Sequence, residues 1–175
     1  QIEWLPFNQF TWWNRFQEEC GKFDCIVMSD YQKGTLSDSL IYAVLELAAH
    51  YNIPVVVDAK KDFHRYKGAS ILKCNKKELE NQKKKPQELG VTWTVVTCGS
   101  AGISFYNSNG EGEGIDGVKI NVADVCGAGD TVTAILAMMQ GIEKVPGRRI
   151  QESVELANIA ASEVCLHPGV YPITR

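Results

Sequence analysis

The chain has 175 residues, 45% of them hydrophobic, and a formal net charge of −3. These values fit one domain with a real apolar core and exclude a disordered tail or a fibrous repeat. A net charge of −3 gives no basic surface around which nucleic acid could wrap, and the basic run at residues 83–85 is short enough to be a solvated loop. No apolar run approaches the roughly 20 residues of a membrane span.

The six cysteines are scattered along the chain, with no C-x-x-C pair and no histidines at zinc-ligand spacing. We expect reduced thiols in a cytoplasmic protein that has neither a membrane nor a nucleic-acid partner. The three histidines are too dispersed to form a metal site.

The first half of the chain predicts a strand-helix-strand unit. Aromatic residues at three- and four-residue steps predict a helix over 7–20 that stops at Gly21. A strand over 24–30 then delivers Ser29 and Asp30 to its carboxyl end. Ser37 is the predicted cap of a helix that extends to about residue 50, and a strand follows at 54–58. This order is typical of a parallel sheet with crossover helices.

The second half continues with strands over 70–73, 93–97 and 103–106, and Asn109-Gly110 is a turn signal behind the last of them. The glycine-rich residues 110–114 predict a loop before 118–120. Two helices, over about 128–140 and 150–165, finish the chain, with Pro146-Gly147 between them. The fold class is therefore α/β with a mostly parallel sheet.

The strongest local signal is the glycine turn at residues 124–131, which runs directly into an apolar helix. Glycines let the backbone approach a ligand closely, and the first amides and the dipole of a helix favour an anion. Asp130, in the first helical turn, could take a proton from an attacking hydroxyl. The glycines alone are equally compatible with a simple helix start.

The longer pattern D-x-x-G-A-G-D before an apolar helix resembles the signature of the ribokinase-like, phosphofructokinase-B-type kinases. The resemblance implies a three-layer α/β/α fold and an ATP-dependent carbohydrate kinase that uses Mg²⁺. It implies that Asp130 is the catalytic base and that Gly127, Ala128 and Gly129 form an anion hole. Asp124, which opens the pattern, becomes a candidate substrate-binding residue.

Three further elements occur in the order that this family shows. Asn75 and Glu78 match its N-x-x-E element, in which the glutamate organises magnesium and phosphate through water; a surface helix start is the alternative. Thr97, Gly99 and Gly102 match the family's T-x-G-x-x-G turn, which lies along the nucleotide phosphates. The same residues are equally compatible with a simple β-hairpin connection. Asn158 matches a position near the adenine pocket, whereas a helical asparagine is more often exposed.

Two stretches point to the acceptor. Residues 29–34 (S-D-Y-Q-K-G) and 57–69 resemble the kinase domain of bacterial ADP-heptose synthases, although Ala59 replaces a proline and the segment between residues 80 and 89 is shorter than expected. That resemblance implies phosphorylation of D-glycero-β-D-manno-heptose 7-phosphate at its anomeric oxygen, in lipopolysaccharide core synthesis. It implies that Asp30 binds a sugar hydroxyl, and Lys33 and Lys60 are candidate cations for phosphate. A surface position is the alternative for Lys33 and Arg65, and for Arg65 we favour it.

Members of this family are longer, and their preceding part carries a glycine pair and the lid over the sugar. We therefore expect residues 1–175 to be the nucleotide-binding and catalytic C-terminal portion of a kinase domain, and a start at Gln1 fits such a fragment. Its expected partner is the missing half or a second copy, as a dimer. The alternatives are a ribokinase- or fructokinase-type enzyme for another sugar, or a nucleotide-binding module without catalysis. A dehydrogenase is set aside because no G-x-G-x-x-G follows the first strand.

Overall fold

The computed structural model describes residues 9–143 and 150–173. These residues form strands β1 (Ile26–Asp30), β2 (Val55–Ala59), β3 (Ile71–Asn75), β4 (Trp93–Thr97), β5 (Ile103–Asn107) and β6 (Gly112–Ile115). The helices are α1 (Gln9–Glu19), α2 (Asp38–Tyr51), α3 (Lys76–Glu80), α4 (Ala128–Glu143) and α5 (Ile150–Cys165). None of the described helices combines the length and the apolar character that crossing a bilayer requires.

The strands form one sheet in the order β1-β2-β3-β4-β5-β6. The first four are parallel, whereas β5 and β6 are added antiparallel. Asp30 lies opposite Ala59, and Asn75 lies opposite Thr97. The carboxyl ends of the parallel strands therefore meet along one edge of the sheet, where ligands of open α/β sheets bind.

Helices cover both faces of the sheet. Val55 and Val57 of β2 belong to the apolar cluster that includes α2, whereas Val56 packs in the cluster formed with α4 and α5. This alternation is the period-two pattern of a strand that is buried on both faces. The predicted three-layer α/β/α architecture with a mostly parallel sheet is confirmed.

Local signals set several helix boundaries. The Ser37 hydroxyl accepts a hydrogen bond from the Leu40 N–H at 3.3 Å, so the predicted cap of α2 is confirmed. The predicted first helix reaches beyond the described residues at Phe7, and its described part ends at Glu19 in a short 3₁₀ turn. The predicted turn at Pro146-Gly147 lies outside the described residues.

The glycine-rich stretch after β5 is a strand, so the predicted loop over 110–114 is wrong. Gly112 to Ile115 form β6, which pairs with β5. A Cβ on Gly112 would lie 2.3 Å from the ring of Tyr106, so a residue without a side chain permits this pairing. Tertiary pairing here overrides the low strand propensity of glycine.

Candidate active site

The glycine turn leaves backbone donors free at the start of α4. Gly127 has a φ of 80°, and its carbonyl accepts from the Thr131 N–H at 2.9 Å. The Ala128 N–H points back to the Val125 carbonyl at 3.3 Å. Among the described residues, the N–H groups of Gly127, Gly129 and Asp130 have no hydrogen-bond acceptor. Free amides at a helix N-terminus favour an anion; of the three expected anion-hole residues, only Ala128 has its amide engaged.

Asp130 is exposed in the first turn of α4. Its Oδ1 accepts a hydrogen bond from the Tyr31 hydroxyl at 3.2 Å, and Tyr31 lies in the loop that follows β1. This contact joins the loop after β1 to the start of α4. Tyr31 is not among the predicted site residues, because no local pattern shows which residue a loop 99 positions away will touch.

The Asp124 carboxylate stabilises the glycine turn through hydrogen bonds to the backbone. Its Oδ1 accepts from the Cys126 N–H at 3.0 Å, and its Oδ2 accepts from the Gly169 N–H at 2.9 Å. The backbone N–H groups of Gly169, Cys126 and Val125 lower the pKa of the Asp124 carboxyl. Both oxygens are therefore committed to the backbone, which differs from the expected contact with a substrate and ties the turn to the segment after α5.

A cavity of about 590 Å³ opens beside the turn, within the size range of small-molecule sites. It brings together six residues singled out from the sequence, namely Thr97, Gly99, Gly102, Ala128, Gly129 and Asn158. Asn158 is buried, and its Nδ2 donates to the Asp116 carbonyl at 2.9 Å, so it is not the exposed helical asparagine of the alternative.

The turn between β4 and β5 requires glycine at its end. Gly102 has a φ of 95°, and a Cβ there would lie 2.0 Å from the Ile115 carbonyl oxygen. The Gly102 carbonyl accepts from the Cys98 N–H at 2.8 Å, which closes the turn. At this turn the cavity wall is therefore formed by backbone atoms with no side chain in front of them. Such a wall fits a nucleotide that lies directly against the backbone.

Asn75 and Glu78 form a capping box at the start of α3. The Asn75 Oδ1 accepts from the Glu78 N–H at 2.8 Å, and Glu78 Oε2 accepts from the Asn75 N–H at 2.7 Å. The geometry therefore shows the helix start that was the alternative for this motif. Glu78 still supplies a hard carboxylate donor, and a magnesium ion that keeps several waters needs only one or two carboxylates.

A group of ion pairs around the buried Asp58 lies next to this edge of the sheet. Asp58 contacts Lys60 through Oδ1 and Lys73 through Oδ2, each at 3.2 Å, and Lys60 Nζ lies 3.8 Å from Glu78 Oε1. Burial alone would lower the pKa of Lys60, but Asp58 and Glu78 outweigh it and raise that pKa. Lys73 was missed from the sequence, although a lysine inside an apolar strand is a visible signal.

Asp30 is engaged by the protein rather than turned to a ligand. It is 4% exposed and accepts from the Gln32 N–H at 2.7 Å, from Gln32 Nε2 and from the Tyr66 hydroxyl. Burial and the hydrogen bond to Asp30 raise the pKa of Tyr66. This arrangement differs from the expected contact with a sugar hydroxyl. Lys33 is exposed in the same loop and lines a separate hollow beside β1.

Arg65 is largely buried, so the surface position favoured for it is wrong. Its Nη1 lies 3.1 Å from Asp30 Oδ2, its Nε donates to Asp38 at 2.5 Å, and its Nη2 donates to the Leu36 carbonyl. The guanidinium thus fixes the loop between β1 and α2 from three sides. A residue that contacts such distant partners cannot be recognised from local pattern.

Comparison with known proteins agrees with this geometry. The model of the pfkB family carbohydrate kinases matches residues 6–174. The chain belongs to this family. The protein "Bifunctional protein HldE" of Trichlorobacter lovleyi is 35% identical over 177 residues, which cover 92% of this chain and 35% of that protein. The protein of the same name from Campylobacter jejuni is 38% identical over 168 residues, or 85% of this chain and 34% of that protein.

Solved structures show the same fold. The structure of Arabidopsis thaliana ribokinase complexed with ribose and ATP superposes with a TM-score of 0.72 at 20% identity, over 90% of this chain and 54% of that one. A mutant of phosphofructokinase-2 from Escherichia coli has a TM-score of 0.72 at 16% identity, over 90% and 57% of the two chains. At these identities the likeness concerns the fold. The pfkB-family chain described here spans about a third of the length of the curated relatives it matches.

Proposed function

We propose that this chain carries the nucleotide-binding and catalytic portion of an ATP-dependent sugar kinase. The observation that supports this most is the exposed Asp130 carboxylate beside free N–H groups at the start of α4, next to a cavity of nucleotide size. An acceptor for a proton and donors for an anion at one point are what phosphoryl transfer to a hydroxyl requires.

In the proposed reaction, the sugar hydroxyl oxygen attacks the γ-phosphorus of ATP while its proton passes to Asp130. The new O–P bond forms as the bond from phosphorus to the β,γ-bridging oxygen breaks, and ADP leaves. The free N–H groups of Gly127 and Gly129 donate to the charge that develops on the transferred group. Thr97, Gly99, Gly102 and Asn158 line the proposed nucleotide cavity. Magnesium, bound at the phosphates and organised by Glu78 through water, would neutralise phosphate charge.

For the acceptor we propose D-glycero-β-D-manno-heptose 7-phosphate, phosphorylated at its anomeric hydroxyl. The support is the sequence S-D-Y-Q-K-G after β1 and the relatives named HldE. A phosphosugar needs cations, and Lys33 is exposed near the carboxyl end of β1. Another sugar is the main alternative, and a chain that binds nucleotide without turnover is the second.

The remainder of such an enzyme, or a second copy of this chain, is the proposed partner that completes the sugar side of the site. Its support is the coverage of about a third of the curated relatives. The outer side of β1 is also unpaired within the part of the chain that the structure describes.

The decisive experiment is Asp130→Asn in the full-length protein. We expect turnover to fall by at least about a thousandfold, whereas the affinity for ATP changes less than threefold, because Asn keeps the shape but accepts no proton. Product formation is followed by ³¹P NMR with heptose 7-phosphate, ribose and fructose as acceptors. Glu113→Gln, on the exposed β6, is the matched control and retains turnover. Retained turnover in Asp130→Asn would contradict the assignment of Asp130 as the catalytic base.

A further inference from the structure

Lys73 places a charge inside the sheet. It lies within β3 between two fully buried residues, Leu72 and Cys74, and is itself 3% exposed. Removing an ammonium group from water is costly unless a carboxylate compensates it. Asp58, 1% exposed on the adjacent β2 and opposite Lys73 in register, provides that carboxylate at 3.2 Å.

The ammonium group of Lys73 lies against the glycine turn. A Cβ built on Gly129 would lie 3.1 Å from Lys73 Nζ, so the glycine leaves room for this approach. Lys73 shares its side of the sheet with Ile71, which packs in the cluster formed with α4 and α5. The cation therefore lies beside Gly129, one of the residues with a free amide at the start of α4.

Asp58 forms an ion pair with a second lysine as well as with Lys73. Its other oxygen contacts Lys60, and Lys60 approaches Glu78. Lys73, Asp58, Lys60 and Glu78 thus form a line of alternating charges from the glycine turn to α3. At one end of this line Lys73 lies beside Gly129, which is proposed above to donate to the transferred phosphate. At the other end is Glu78, which is proposed above to organise magnesium through water.

We propose that Lys73 is a positioning residue of phosphoryl transfer, which supplies buried positive charge beneath the glycine turn and thereby strengthens its hold on the terminal phosphate of ATP. The inference rests on the proposed function. An apolar pair in place of a buried ion pair is often as stable, so stability alone gives little reason for a lysine here. At short range, and shielded from water, one ammonium group markedly changes the potential at the adjacent amides.

The test compares two variants of the full-length protein, Asp58→Asn and the double variant Asp58→Asn/Lys73→Met. The double variant leaves no unpaired buried charge at these two positions, and its difference from Asp58→Asn isolates the ammonium group. Affinities for ATP and for AMP are measured by calorimetry, alongside kcat. AMP lacks the terminal phosphates and therefore reports on the rest of the nucleotide cavity.

We expect the loss of Lys73 to weaken ATP binding about tenfold, to change AMP binding less than twofold, and to lower kcat about ten- to a hundredfold. Val55→Ala, at the opposite end of β2, is the stability control: it lowers the melting temperature but leaves the ATP-to-AMP affinity ratio unchanged. An unchanged ratio on loss of Lys73 would overturn the inference.

Three further outcomes of the test can be distinguished. If the double variant does not fold, Lys73→Gln, which stays neutral and can donate to Asp58, carries the same comparison with wild type. If the wild type binds ATP but phosphorylates none of the sugars, the proposed function fails while the affinity ratio still tests Lys73. If the wild type turns over and the ratio does not move, only the role of Lys73 is lost.

Discussion

Two aspartates near the carboxyl edge of the sheet differ in what surrounds their carboxylates. Asp30 is enclosed by donors from its own loop and from Tyr66, so its oxygens hold the loop in place. Asp130 is exposed, and the hydroxyl of Tyr31 donates to its Oδ1. A carboxylate that must accept a proton from a substrate has to be reachable and correctly aimed. Asp130 meets the first condition, and Tyr31 supports the second.

Tyr31→Phe tests that support. Removing the hydroxyl leaves Asp130 without the donor at 3.2 Å that aims it. We expect kcat to fall about three- to tenfold, with the KM for ATP unchanged, because the lost hydrogen bond is exposed and of modest strength. The control is Tyr42→Phe, which removes an exposed tyrosine hydroxyl hydrogen-bonded to Glu46 within α2. Equal kcat values for the two variants would contradict the role of Tyr31.

The sequence predicts residues of the site well where a motif is continuous. Gly127 to Asp130 are consecutive, so their placement at a helix start follows from the chain itself. Arg65, in a short 3₁₀ turn, and Lys73, in β3, are different, because their roles depend on Asp30 in β1 and Asp58 in β2. Pairs that form only when distant segments become neighbours leave no local pattern beyond a charge in an apolar context.

Among the elements, the connection from β4 through β6 contributes part of the wall of the proposed nucleotide cavity. Gly99 and Gly102 turn the chain with positive φ values, and β6 then returns beside β5. At its end, Gly117 lies so close to the turn that a Cβ there would be 2.1 Å from the Ser100 carbonyl oxygen. The wall is therefore built from two backbone segments in direct contact.

Gly102→Ala should disrupt this wall. The new methyl group would meet the Ile115 carbonyl at 2.0 Å in a backbone conformation that favours glycine. We expect the free energy of unfolding to fall by at least about 2 kcal/mol and ATP affinity to fall with it. Urea denaturation measures the first and calorimetry the second.

The matched control is Gly114→Ala on the paired β6. Its methyl group would lie 3.8 Å from Ser104 Oγ, an ordinary contact, so we expect a change within about 0.5 kcal/mol. Equal destabilisation by both substitutions would show that the close approach at Gly102 does not hold the turn.

Strand β6 is a secondary-structure element that its own residues do not predict. Alternating or continuous apolar residues identified strands β1 to β5, because burial itself produces that pattern. Residues 112–115 contain two glycines and one glutamate, so nothing in them indicates a strand. They pair because β5 offers an edge and because glycine fits beside the Tyr106 ring. A strand that is specified by its neighbour cannot be found from its own residues.

For the whole molecule, the two faces of the sheet are covered unequally. Both faces of β2 and β3 are buried, whereas Val27 of β1 is 47% exposed on the side that α4 and α5 cover farther along the sheet. The outer edge of β1 pairs with no strand among residues 9–143 and 150–173. An open edge beside exposed apolar side chains favours association with another chain.

We therefore expect the 175-residue chain to sediment as a dimer or larger species, with β1 in the contact. Val27→Lys places a charge on the edge strand and should shift the population toward monomer, because a lysine there opposes strand pairing. Ile159→Lys, at an apolar position of α5 that is 60% exposed, is the control and should leave the association unchanged. Analytical ultracentrifugation of the three proteins measures the distribution. A well-behaved wild-type monomer, or equal shifts in both variants, would contradict association through the edge of β1.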